Sequence, residues 1–204
     1  MTRPKRIMLA VAALVVIGGG VTLWAVHEHK ESDHHFYSVR RGMLYRSCQP
    51  HPQDMNEIGR RNIRTVVNLR TPQEGPEDFL MEQEECRRLD VRLVNLSMET
   101  LMPSDQQVEE FLRLVRRNEG ATLVHCAQGK MRTGVMVGAF RVVVEGWDIP
   151  PVMTEMDSYL GKSVRKPEEE TQIIQLLERL HSQRADWLRR TDPAASQPAS
   201  MSAR

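Results

Sequence analysis

The run TLVHCAQGKMRTGV, Thr122 to Val135, limits the possible folds more than any other part of the chain. Ala121 to Cys126 is short, apolar and partly β-branched, and reads as a buried strand. After a short loop, Arg132 to Glu145 is apolar on nearly every side, from Val135 through Phe140 to Val144. A helix of that kind belongs at the centre of a core, and Gly146 marks its end. A buried strand feeding a buried helix through so short a loop is the unit of an α/β sheet.

The rest of the chain fits around that unit. FYSVRRGMLYRSCQP carries a hairpin signal around Gly42. RTVVNLR (Arg64 to Arg70) and VRLVNLSM (Val91 to Met98) read as two further strands. Pro76 opens a helix whose apolar positions include Phe79, Cys86 and Leu89, so Cys86 reads as core. Ser104 and Gln107 form a capping box for a helix with Val108, Phe111, Leu112 and Val115 on one face. DIPPVMTEMDSYL and Lys166 to Arg190 add two more helices. The expectation is an α/β domain over residues 36–190 with a mostly parallel sheet flanked by helices, then a polar tail without fixed structure over 191–204.

The first 35 residues read differently. Arg3, Lys5 and Arg6, within a basic region over residues 1–6, precede an uncharged run from Ile7 to Val26. In a helix, about 20 residues match a bilayer core of ~30 Å. No convincing cleavage site follows, so an uncleaved single-pass signal anchor over 7–26 is favoured over a cleaved signal peptide. The basic residues should stay in the cytoplasm, placing the domain on the extracytoplasmic side, the periplasm for a bacterial source. HEHKESDHH, within residues 27–35, reads as a solvated juxtamembrane linker rather than a metal site. A net charge of +1 gives no bulk reason to expect a nucleic-acid partner. Cys48, Cys86 and Cys126 are too far apart for a CxxC metal site, and no HExxH occurs, so neither metal nor cofactor is expected.

The chemistry gathers at Cys126. Ligands in open α/β sheets bind at the carboxyl ends of strands, and a helix N-terminus offers unpaired N–H groups to an anion. Gly129 lets the loop turn its amides inward, and Arg132 adds a planar fork that matches two oxygens of a tetrahedral oxyanion. Cys126 lies at the base of that cradle as a nucleophile toward a bound phosphoryl group. Thr133 is placed to hydrogen-bond the sulfur, and His125 to orient the loop. Gly129-Lys130 is followed by Met131 instead of Ser or Thr, which excludes a nucleotide-binding P-loop. Tyr45 and Arg46 read as hairpin packing rather than cleft lining.

HCAQGKMRTG resembles the signature of cysteine-dependent protein tyrosine phosphatases, in particular their compact dual-specificity-like branch. GMLYRSCQP and TVVNLR are similar to flanking elements of that branch, and the likeness covers Phe36 to Leu160. The resemblance implies a phosphocysteine intermediate on Cys126, phosphate binding by Arg132 and the backbone of Ala127, Gln128, Gly129, Lys130 and Met131, and no metal. It also implies a general acid on a loop before the cysteine. Two acids are available there: Glu99 directly after the strand is the first choice, and Asp105, which a helix N-terminus also explains, is the second. The substrate implied is a phosphorylated protein, with phosphotyrosine first and phosphoserine or phosphothreonine second. Lys130 matches phosphoinositide phosphatases of the same superfamily and keeps an inositol phosphate in view. A non-catalytic phosphate-binding module is the remaining alternative.

Overall fold

A computed structural model describes residues 36–196 except 118 and 162–163. The expected anchor over 7–26 and the histidine-rich linker lie outside the described residues. Among the described residues no helix is long and apolar enough to cross a membrane.

Five strands form one sheet in the order β1-β2-β5-β3-β4: β1 (Tyr37–Arg40), β2 (Leu44–Ser47), β3 (Ile63–Asn68), β4 (Arg92–Asn95) and β5 (Ala121–His125). The hairpin around Gly42 is there, with β1 antiparallel to β2 and all other pairs parallel, so the sheet is mixed at one edge. The helices among the described residues are α1 (Met55–Arg60), α2 (Pro76–Arg88), α3 (Asp105–Arg116), α4 (Met131–Phe140), α5 (Ile149–Ser158), α6 (Pro167–Ser182) and α7 (Arg184–Arg190). Helix α4 runs on through a π-turn, Arg141–Glu145, and stops at Gly146, whose φ of 73° is left-handed.

The two faces of the sheet differ. One is covered by α3, α4, α6 and α7 and holds the larger apolar cluster, with Phe111, Val137, Phe140, Leu177 and Trp187 buried. The other is covered by α1 and α2 and holds a smaller cluster: Tyr45, Met55, Ile58, Ile63, Val66, Cys86 and Leu123. Three differences from the sequence reading are local. Helix α1 carries no long period, only Met55 and Ile58 turned inward, and was not expected. The single helix expected over Lys166–Arg190 is two, parting at Gln183 (φ −103°, ψ 17°), which lets Trp187 turn into the core. Order also runs past the expected end of the domain. Thr191 is fully buried, donates to the Trp187 carbonyl at 2.7 Å, and is followed by a 3-10 turn, Pro193–Ser196.

Candidate active site

The carboxyl ends of β2, β3 and β5 meet at one edge, and the loop from Cys126 to Lys130 is fastened across it. Leu69 N donates to the His125 carbonyl at 2.9 Å, and Gln49 N to the Ala127 carbonyl at 3.1 Å. Gly129 has φ +65°, and a Cβ there would run into the Ser47 carbonyl and reach Cys48 N at 2.7 Å. Two constraints, handedness and space, therefore demand glycine at this position. Cys126 sits at the base of the loop, 4% exposed.

Arg132 stands in the first turn of α4, near enough to Cys126 for the two to interact electrostatically. Its two terminal nitrogens donate to the two oxygens of Glu74, each at 2.7 Å. Nη1 also donates to the carbonyls of Met98 at 3.2 Å and Leu69 at 3.4 Å. The end of the fork is thus held by protein, leaving the Nε side for a ligand. The hydrogen bonds from Arg132 pull the Glu74 carboxyl down to about 2. Glu74 closes a 3-10 turn, Pro72–Glu74, that starts from a capping box with Thr71. Arg70 holds that turn from behind, donating to the Glu74 carbonyl at 2.8 Å, to Gln49 Oε1 at 2.7 Å and to Asp78 Oδ2 at 3.0 Å.

Beneath the loop lies a second polar group. Glu82 of α2 and His125 are both fully buried, with Oε1 2.8 Å from Nε2, off the ideal hydrogen-bond direction. The other oxygen of Glu82 accepts from Asn68 Nδ2 at 2.7 Å. The residue just before the nucleophile is therefore tied to a helix on the far face of the sheet.

A cysteine at the base of a glycine-turned loop, with a fixed arginine fork over it at a helix N-terminus, is the arrangement of the dual-specificity branch of tyrosine phosphatases. Residues 21–173 match the family model described as "DSP-PTPase phosphatase fused to NAD+ Kinase". The chain belongs to this DSP-PTPase family. It is 31% identical over 117 residues to the dual specificity protein phosphatase TpbA of Pseudomonas aeruginosa, covering 55% of this chain and 49% of that one. It thus spans about half the length of that relative. The inositol diphosphatase DSP3 of Arabidopsis thaliana is 29% identical over 136 residues, 64% of each chain. Among solved structures, a cysteine-to-serine variant of P. aeruginosa TpbA in complex with pTyr superposes with a TM-score of 0.60 at 24% identity, over 74% of this chain and 91% of that one. That likeness shows the fold.

Within this DSP-PTPase fold the expected site residues separate. Glu99 lies on the loop after β4 and lines an open cleft of about 640 Å³ together with Glu74, Thr100, Met131 and Arg132. Asp105 lies elsewhere: it begins α3, beside the Ser104 cap, and pairs with Arg179 at 2.8 Å. Ala127 and Gln128 are exposed on the loop. The Lys130 ammonium is directed toward Gly161. Thr133 is fully buried, and among the described residues its hydroxyl makes no hydrogen bond, to the sulfur or to anything else. Burial pushes the Cys86 thiol up to about 12 and the Cys48 thiol to about 11, so both stay protonated near neutrality. Cys48 follows Ser47, the register partner of His125, so the two cysteines leave adjacent strand ends together. Among the described residues no cluster of three or more His, Cys, Asp or Glu could hold a metal.

The sequence reading missed Glu74, Glu82 and Arg70, and took Arg46 for hairpin packing. Two of them left a trace. Thr71-x-x-Glu74 is a capping-box pattern directly after a strand, and Glu82 is a carboxylate set among the apolar positions Phe79, Cys86 and Leu89 of one helix face. Tyr45 does pack in the hairpin, as expected, but Arg46 points to the opposite face, under the loop.

Proposed function

We propose that this chain is a cysteine-dependent phosphatase acting on phosphotyrosine, with phosphoserine and phosphothreonine as slower substrates. The observation that carries this reading is Arg132, held by Glu74 in one orientation near Cys126 and lining a cleft that Glu99 also lines. In the first step the Cys126 sulfur forms a bond to phosphorus and the ester P–O bond breaks. Glu99 gives its proton to the departing oxygen. Arg132 and the loop amides hold the three equatorial oxygens as the phosphoryl group passes in line from the leaving oxygen to sulfur. In the second step Glu99 takes a proton from water, the water oxygen bonds to phosphorus, and the S–P bond breaks. Inorganic phosphate leaves and the thiolate returns.

Two relatives support different substrates: a TpbA structure holds pTyr, and DSP3 is named an inositol diphosphatase. Among the described cleft residues Glu74, Glu99 and Glu169 face only Arg132, a poor setting for a polyanionic inositol pyrophosphate. That favours phosphotyrosine. The test is phosphate release by the reduced protein on an aryl phosphate, a phosphotyrosine peptide, a phosphoserine peptide and an inositol polyphosphate. Wild type should favour the first two, and Cys126→Ser should fall by at least about 10³-fold. Activity retained in Cys126→Ser would sink the nucleophile. Inositol polyphosphate hydrolysed fastest would replace the substrate. We also propose that residues 7–26 anchor the chain with its catalytic domain outside the cytoplasm. Resistance of the full chain to carbonate extraction, with the domain open to protease in spheroplasts, is the expected result.

A further inference from the structure

Four arginines are buried among the described residues: Arg46, Arg70, Arg141 and Arg165. Three have a carboxylate. Arg70 pairs with Asp78, Arg141 with Glu145 and Glu155, and Arg165 with Asp157. Arg46, only 1% exposed, has none within ion-pair distance among the described residues. Its Nη2 donates to the Gly129 carbonyl at 2.6 Å and to the Lys130 carbonyl at 3.4 Å. Its guanidinium lies 3.7 Å from the centre of the Tyr159 ring. Its Nε and Nη1 have no hydrogen-bond partner among the described residues. The nearby acid on α5, Glu155, is already engaged at both oxygens by Arg141.

A buried charge without a counter-ion is costly, and proteins usually pair or neutralise it. Here both of its backbone contacts lie in the loop over which a phosphoryl group would sit. In a trans peptide the carbonyl of one residue and the N–H of the next point in opposite directions. Drawing the Gly129 and Lys130 carbonyls down toward Arg46 therefore turns the N–H groups of Lys130 and Met131 up toward the cleft. Burial lowers the guanidinium from its usual value, while Tyr159, Glu155, Cys126 and Tyr37 are the ionisable groups near enough to oppose this.

We propose that Arg46 is a positioning residue of the phosphate cradle: it orients the loop amides through the Gly129 and Lys130 carbonyls, and its unpaired charge is the fixed counter-charge of the bound phosphoryl dianion. This inference rests on the phosphatase reading above. It predicts that the substrate completes the electrostatics of a site that is left over-positive from below.

The test is inhibition by inorganic phosphate and the kcat and KM for an aryl phosphate, measured on wild type, Arg46→Met and Arg46→Lys with the folded fraction of each fixed by thermal melting. Loss of one hydrogen bond to a charged group is worth about 10- to 100-fold. Arg46→Met should weaken phosphate inhibition and raise KM by that factor. Arg46→Lys, which keeps the charge but not the fork, should recover part of it. A purely structural arginine would lower the melting temperature and leave phosphate affinity of the folded protein unchanged. Phosphate affinity of folded Arg46→Met within about threefold of wild type overturns the proposal. If Arg46→Met does not fold, Arg46→Lys alone decides: weakened phosphate binding supports the proposal, and wild-type binding overturns it. Wild type that neither binds phosphate nor hydrolyses an aryl phosphate would overturn the phosphatase reading instead.

Discussion

The two faces of the sheet do different work. The face under α3, α4, α6 and α7 is filled by aliphatic and aromatic side chains. The face under α1 and α2 has a smaller apolar cluster, and at the strand ends it turns polar, with Glu82, Asn68 and His125 gathered in the interior. Apolar packing is non-directional and repays burial in proportion to area. Polar contacts inside a protein are directional, and leaving one unmade is expensive. The apolar face therefore holds the molecule together and meets the loop through Arg46, while the polar groups of the other face set the strand end that carries Cys126.

Substitutions on the two faces should separate stability from activity. The largest effect on stability is expected for Phe111→Ala, fully buried on the apolar face, at about 3–5 kcal/mol by denaturant unfolding. Its KM should stay within about twofold of wild type, since Phe111 lies in the apolar core and not in the cleft. At the cleft, Glu99→Gln should cost about 10² or more in kcat on a phosphoserine peptide and much less on an aryl phosphate, whose leaving group needs little protonation. The matching change Asp105→Asn should cost about 1 kcal/mol or less through the α3 terminus and leave that ratio alone. Equal losses in the two variants would deny Glu99 the role of acid.

On the polar face, Glu82→Gln keeps an acceptor for Asn68 but replaces the carboxyl oxygen facing His125 with an amide group. It should lower kcat on an aryl phosphate by roughly tenfold while costing about 1–3 kcal/mol of stability. The reverse pattern, a large loss of stability with full activity, would make the two faces equivalent. The smallest effect concerns Glu74. Its carboxyl is depressed from 4.5 to about 2 by Arg132, so the stability that pair contributes is complete above 4.5 and is lost as pH falls through about 2. Glu74→Gln should flatten the acid side of a stability curve between those values and lower the plateau above them by a small, constant amount.

Much of this molecule was legible in the order of its residues. The strand–loop–helix unit at Cys126, the parallel strands and the Ser104 cap all arise from local pattern, because burial on one or both faces imposes a period that a linear reading detects. Cys126, Gly129 and Arg132 stand close together in the chain, so their spacing alone describes a cradle. Short α1 and the break at Gln183 escaped, since six residues hold too few turns to show a period and no glycine or proline marks the break. What only the folded chain decided is which residues come to that cradle from afar. Glu74 meets Arg132 across 58 positions, and Arg46 meets Gly129 across 83. A carboxylate in a turn and an arginine on a hairpin look like surface residues until the sheet brings them to the loop. Their partners are set by register and strand order, and neither is encoded in any local period.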